Sequence, residues 1–363
     1  MNPVKVGFVL LSNSRQALPS TRCAVLNMFP FLRAENFDPH IVFEPAQAET
    51  TPDVSGLASR LCRDGFRIVV FQKVRGPGVE ALVRRLSAAG IKTVYCVCDL
   101  VDAAMAEASD ATIVVTDYLK SLYPIALHAR IHVVHDGIEH ADCHKTEWGG
   151  HRGSSGRPLR AVLVTSVQSD RLPLIVAPPN WLHVTIVGRY PPSARIFQRV
   201  REARWMLASQ QDTRQRLAYL RFLSNRRIDC IAWDAIDVYK RMKEADIGII
   251  PIDALPLDLP GLPAPNWKVK SENRLSMKMC MGLPVIATPI PAYEPVVMQG
   301  QNGFLARTRQ DWINCFEALR DPALRESMGR QARESVRNRY SLQEQARLLI
   351  GILNGLLGKN FTT

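Results

Sequence analysis

Lys268, Lys270, Ser271, Asn273 and Arg274 fall within the seven residues KVKSENR. Three cations, a hydroxyl and an amide on so short a stretch suit phosphate oxygens, which take charge-assisted hydrogen bonds from guanidinium and ammonium groups. A helix beginning near Ser271 adds unpaired backbone N–H groups and the positive end of its dipole. Together these make a candidate diphosphate site; the plainer reading is a solvated helix start with surface charge. An apolar strand then leads to PIPAYEPV, a second candidate helix start that offers backbone N–H groups near Ala292 and Tyr293 but no basic side chain. Glu294 there either accepts a sugar hydroxyl or favours the helix's first turn.

The elements that must hold such a site alternate. Short β-branched runs at 5–11, 39–45, 67–73, 92–99, 111–117 and 131–137 are separated by helix-period segments such as GVEALVRRLSAAG, which stops on Gly90. Continuous apolar strands between helices predict a parallel sheet covered on both faces. Residues 139–158 are polar and rich in Gly and Ser, and the alternation resumes afterwards at 159–166, 181–188, 227–233, 246–252 and 283–289. The chain therefore divides into an N-terminal domain (1–140), a linker (141–158), a second α/β domain (159–340) and a C-terminal helix and tail (341–363). In that last part Ser341 and Glu344 have capping-box spacing, and the helix has enough apolar surface to cross back to the first domain.

Ligands of open α/β sheets bind beyond the carboxyl ends of the strands, which draws attention to polar residues there. Asp99 ends one strand; it either orients a hydroxyl or serves as an ordinary loop-starting Asp. Lys73 ends another and can meet a phosphate or an acceptor. His135 and Asp136 read as a turn before Gly137. The loop after the first strand carries Arg15 and Arg22, cations for an anionic acceptor.

The 363 residues carry a formal charge of +12, with 47% hydrophobic and 22% charged residues. That composition excludes a disordered chain and asks for an anionic partner. Nine arginines against Glu202 and Asp212 place +7 of the charge between Ser193 and Arg227. This segment has three readings: a solvated helical face whose apolar residues pack inward, a surface for anionic lipid, or a nucleic-acid contact. The eight cysteines show neither zinc spacing nor a disulfide framework. No apolar run is long enough to span a membrane, and the start lacks the basic leader and cleavage site of a signal peptide. A cytosolic protein with reduced thiols is expected.

GLPVIATPIPAYEPVVMQGQNGFLA, followed by DWINCFEALRDPALRESMGRQARESVRNRYS, resembles the C-terminal domain of family 4 glycosyltransferases of the GT-B fold. The resemblance runs from about Leu159 to the C-terminus. It implies an α/β protein of two doubly wound Rossmann-like domains facing a cleft, with acceptor held by the first domain and nucleoside-diphosphate sugar by the second. It also implies retention of anomeric configuration and no metal or other cofactor. By position Lys270 to Arg274 and the loop before Glu294 would hold the diphosphate, with Gly188 and Arg189 bordering the donor site; Lys268 is added to the donor-binding set, and Asp99 and Arg274 are the expected catalytic groups. Two departures stand out. The family's glutamate pair falls on Val269 and Met277, and its frequent strand-end histidine is replaced by Cys98 and Asp99. KSENR looks like a variant helix start found in place of that pair. The expected activity is sugar transfer to a hydroxyl acceptor in surface polysaccharide or glycolipid assembly, peripheral on the inner face of the plasma membrane. A sugar-nucleotide epimerase of the same fold and a non-catalytic binding protein are the alternatives.

Overall fold

The computed structural model describes residues 2–148, 157–165, 177–192, 195–210, 212–252 and 267–358. The chain forms two compact units. Unit 1 is made from Met1–Glu139, Leu255–Asn273 and Arg339–Thr363; unit 2 from His140–Ala254 and Arg274–Asn338. Residues 149–156 of the predicted linker lie outside the described residues, as do 193, 194 and 211 of the arginine-rich segment.

Unit 1 holds strands β1 (Val4–Leu10), β2 (Phe37–Phe43), β3 (Ile68–Gln72), β4 (Lys92–Val97), β5 (Ala111–Val114) and β6 (Ile131–Val133). They form one parallel sheet in the order β2-β1-β3-β4-β5-β6. Its helices are α1 (Pro19–Ala24), α2 (Phe29–Ala34), α3 (Leu57–Arg63), α4 (Pro77–Ala88), α5 (Ala103–Ala108) and α6 (Asp117–Ser121). The continuous apolar strands have the physical reason the sequence suggested, because successive side chains enter different cores. Val69, Phe71, Tyr95 and Val97 pack in one cluster, while Ile68, Val70, Val94 and Cys96 pack in another.

Unit 2 holds β7 (Leu159–Val164), β8 (Leu182–Gly188), β9 (Ile228–Ala232), β10 (Ile247–Ile250), β11 (Val285–Ala287) and β12 (Phe304–Leu305). They pair in parallel in the order β12-β11-β10-β7-β8-β9. This is the doubly wound order, with its switch point between β7 and β10. Helices α7 (Ile196–Ser209), α8 (Thr213–Ser224), α9 (Asp237–Glu244), α10 (Asn273–Cys280), α11 (Arg309–Ala318) and α12 (Pro322–Val336) accompany it. Asn302 fastens the loop before β12: its Oδ1 accepts from Met298 N–H at 2.7 Å, and its Nδ2 donates to the Val296 carbonyl at 3.0 Å. Residues 140–148 also pack on this unit, where Trp148 Nε1 donates to the Gly282 carbonyl at 2.6 Å.

The last helix, α13 (Leu342–Leu356), belongs to unit 1. Its Ala346, Leu349, Ile350 and Leu353 lie against the Val6, Phe8, Ile68 and Val70 face of the sheet. Ile138 N–H donates to the Tyr340 carbonyl at 2.8 Å, and Gly137 packs closely under Leu342, whose Cδ2 a Cβ there would displace at 2.6 Å. Half of the expected capping box is present. Ser341 Oγ accepts from Glu344 N–H at 3.1 Å, but the Glu344 carboxylate pairs with Arg347 at 2.7 Å instead of turning back to the cap. The fully buried Leu353 measures the dependence of the sheet on this helix. Leu353→Ala is expected to cost about 2–5 kcal/mol of unfolding free energy, read by chemical denaturation, with the exposed Arg347→Ala leaving it nearly unchanged.

Candidate functional site

At the carboxyl end of unit 1's sheet, the switch point between β1 and β3 is closed by a buried amide. Gln72 Oε1 accepts from Leu11 N–H at 3.2 Å and from Thr21 Oγ1 at 3.0 Å, and Thr21 lies 2.8 Å from Ser12 Oγ. The next residue, Lys73, has φ of 59°, a left-handed conformation that a non-glycine side chain adopts only under constraint. Its Nζ lies 2.7 Å from Asp99 Oδ1. Burial works to lower the Lys73 pKa, but the neighbouring Cys98 and Asp99 outweigh it and leave the ammonium with a raised one. Two polar residues picked from strand ends thus meet as an ion pair at adjacent strands.

The other acceptor-side residues stand apart from that pair. Arg22 on α1 donates to both oxygens of Glu139, at 2.7 and 3.0 Å, and Asn27 donates to the same carboxylate at 2.8 Å. Arg15 is exposed in the loop after β1.

The richest cluster in unit 1 follows β6, where the sequence suggested only a turn. Asp136 Oδ2 accepts from Ser271 Oγ at 2.8 Å. His135 Nδ1 lies 2.7 Å from Glu272 Oε1 and 2.9 Å from the Val115 carbonyl, and its ring meets Tyr340 at a centroid distance of 4.9 Å. Desolvation pushes the Asp136 carboxyl up to about 6, against the Ser271 hydrogen bond and with help from Glu272. Burial alone would lower the His135 pKa; the hydrogen bond and charge of Glu272 reverse that and raise it. The KVKSENR stretch is therefore anchored by the residues between its cations, with Val269 buried in the core of unit 1 and Ser271 and Glu272 bonded to the end of β6. A strand-end position was the available signal for His135 and Asp136; their partners, 135 and more residues distant in sequence, gave no local one.

The cations themselves sit around the start of α10, which begins at Asn273 rather than at Ser271. Lys268 Nζ is 5.3 Å from the Trp267 ring centroid. Lys270, Ser271 and Asn273 are partly buried parts of unit 1; Arg274, also partly buried, opens the unit 2 portion of the helix. A cation that went unnoticed in the sequence lies one turn on. Lys278 is 1% exposed, its Nζ reaches the Arg274 carbonyl at 3.4 Å, and its stem fills the space over Gly248, where a Cβ would approach Lys278 Cδ to 2.9 Å. Burial brings its ammonium down to about 7, and repulsion from Arg274 acts in the same direction.

Elsewhere in unit 2, Gly188 ends β8 with no room for a side chain, since a Cβ would lie 2.9 Å from the Thr165 carbonyl; Arg189 after it is exposed. The second helix start is not formed. Residues 291–296 are turns, and the N–H groups of Tyr293 and Glu294 both donate to the Ile290 carbonyl, at 2.8 and 3.2 Å. Pro295 explains this, because a residue before proline is disfavoured in helical conformation. Ala292 and Tyr293 are buried, and Glu294 pairs with Arg307 at 3.0 Å. Among the described residues no group of three or more His, Cys, Asp or Glu side chains forms a metal cluster, and no helix is long and apolar enough to cross a membrane.

No family model and no curated protein sequence matches the chain. Solved structures do match, in fold. A glycosyltransferase from Rickettsia africae shares 13% identity over 99% of this chain and 100% of its own, with a TM-score of 0.68. Sucrose-phosphate synthase from Thermosynechococcus elongatus shares 12% over 98% and 99%, at 0.66. Anabaena HepE, crystallised with UDP and glucose, shares 12% over 97% and 100%, at 0.64. The fold is that of the GT-B glycosyltransferases: two Rossmann-like α/β domains.

Two pH effects follow from the buried groups. An Asp whose folded pKa is raised holds its proton more tightly in the native state, so its contribution to stability falls as pH rises from the unfolded value of 3.8 to about 6. Asp136→Asn is expected to flatten that part of the stability–pH curve measured by chemical denaturation; an unchanged slope would remove the assignment. Lys278 works in the opposite sense: its folded pKa of about 7 lies below the unfolded 10.5, so it penalises the native state most at low pH. Lys278→Met is expected to stabilise the protein more at pH 6 than at pH 10.

Proposed function

We propose that the chain is a glycosyltransferase, related to family 4, that moves a sugar from a nucleoside-diphosphate donor to a hydroxyl acceptor. The observation that carries this reading is the fold, whose likeness to glycosyltransferases extends over nearly the whole chain. The basic, amide-bearing start of α10 supplies the chemistry. Lys268, Lys270, Ser271, Asn273 and Arg274 bind the diphosphate of the donor, with Gly188, Arg189 and the 292–294 turn as its further contacts. UDP is the first candidate nucleotide, because the Anabaena neighbour was crystallised with it.

In this mechanism the leaving group is a diphosphate that gains negative charge as the glycosidic bond breaks. Arg274 and Lys270 stabilise that charge, and no metal is required. Lys73 holds Asp99 by their ion pair, leaving the carboxylate's remaining lone pairs to accept the hydrogen bond of the acceptor hydroxyl. The exposed Arg15 serves an anionic acceptor, Arg22 being engaged by Glu139, as in surface polysaccharide or glycolipid assembly, with the protein peripheral to the cytoplasmic membrane face. The anomeric configuration is retained. Departure from the family pattern has a physical counterpart: Val269, at one glutamate position, is a core anchor of unit 1, and Met277, at the other, packs with the Met242 and Leu283 cluster of unit 2.

The decisive measurement is a thermal-shift comparison of UDP, GDP, ADP, CDP and dTDP. One nucleotide is expected to raise Tm, and Arg274→Ala to weaken its binding by about tenfold or more, the usual cost of a lost charge-assisted contact. No shift with any of the five would favour a non-catalytic protein. With the sugar nucleotide of the selected base, product that forms without acceptor would identify an epimerase.

A further inference from the structure

Helices α7 and α8 of unit 2 carry apolar side chains on their outer as well as their inner sides. Of the three readings of the arginine-rich segment, one packs its apolar residues inward, yet α7 fully buries none of its residues. Its half-buried side carries Ala203, Met206 and Leu207, the last two packed on the core of unit 2, together with the polar Gln198, Arg199 and Glu202. One of these polar residues has a partner in the sheet. β9 is the edge of its sheet, and an edge strand leaves carbonyls without ladder partners; Arg199 Nη2 donates to one of them, that of Cys230, at 3.2 Å.

The outer side is apolar and cationic together. Phe197 is 93% exposed, Val200 52% and Trp205 68%. Phe197, Val200, Arg201 and Arg204 have the spacing of a single helical face. On α8, Tyr219 and Phe222 turn inward, while Leu217, Leu220 and Leu223 remain about half exposed beside Arg214 and Arg221. The two acids of the segment are engaged: Glu202 accepts from Gln198 at 3.1 Å, and Asp212 caps α8 through Arg214 N–H at 3.1 Å.

We propose that this outer face is a docking surface for an anionic phospholipid bilayer. An exposed apolar patch of this kind marks an interaction site, and the charge selects the partner. Arginines can reach the headgroup phosphates while their stems and the intervening Phe, Val and Leu side chains enter the acyl boundary. Trp205 has the amphipathic ring that favours that depth. A polynucleotide would satisfy the arginines but leave the aliphatic side chains in water. The docking surface does not depend on sugar transfer, and its test reads lipid binding alone.

The full chain is sedimented with vesicles of phosphatidylcholine and with vesicles containing about a third phosphatidylglycerol. Binding is expected only with the anionic vesicles, weakening as salt is raised. Removing Arg201 and Arg204 together (Arg201→Gln with Arg204→Gln) is expected to reduce partitioning by about twenty-fivefold, roughly fivefold for each charge. Phe197→Ser with Trp205→Ser removes the binding that persists at high salt. Both pairs are exposed, so each variant should melt with the parent. Equal partitioning onto neutral vesicles, absence of binding to anionic ones, or binding undiminished in both variants would overturn the proposal. So would oligonucleotide retention without vesicle binding, or a dimer that the Phe197/Trp205 variant dissociates.

Discussion

Glu272 has almost no solvent contact, and the basic group set against it is His135, whose Nδ1 lies 2.7 Å from its Oε1. Losing one partner of such a buried pair is expensive, because the other is left desolvated and alone. The contact therefore fixes the path of the chain through 267–273. Together with Ser271 on Asp136 and Val269 in the core, it ties a late stretch of sequence to the end of β6. The residues that make KVKSENR conspicuous are its cations, whereas the residues that place it are its acid, its hydroxyl and its valine.

Charge in this protein divides into structural and surface populations. Arg325 is fully buried and donates to the carbonyls of Leu319 and Arg320 at 2.7 and 2.9 Å, closing the end of α11. Lys145 does the same for α9 through the Lys243 carbonyl at 2.8 Å. Positive groups at helix carboxyl ends oppose the dipole and satisfy orphan acceptors. These cations, and the buried Lys278, add to the formal charge without being presented to solvent. The arginines of α7 and α8, by contrast, include Arg201, Arg204, Arg214 and Arg221 in full view of solvent.

Much of the fold was legible because parallel strands buried on both faces leave a plain signature. IVVFQ and KTVYCV could be read directly as β3 and β4. β12 was missed, since two residues have no period. PIPAYEPV was misread as a helix although Pro295 argued against it. The ion pair of Lys73 with Asp99 was half visible, as two strand-end residues with no stated relation. His135 and Asp136 stood at an equally favourable strand end, but their importance depends on partners at 271 and 272, and contacts of that range leave no local pattern. The three readings of the arginine-rich segment stayed open for a different reason: helical spacing shows that a face exists, not which apolar residues turn inward, and α7 packs Met206 and Leu207 while leaving Phe197 and Trp205 outside.

The seating of α13 on unit 1 bears on how the protein is made. Synthesis delivers β1 to β6 before unit 2, but Leu349, Ile350 and Leu353 follow it, so while unit 2 is being translated only Val25, Met28, Leu32 and their neighbours cover the face containing Val6, Phe8 and Ile68. Exposed apolar sheet surface is what favours aggregation of incomplete chains. The sheet of unit 1 is thus completed only after unit 2 has been made, and a ribosome stalled within unit 2 would hold that sheet partly uncovered.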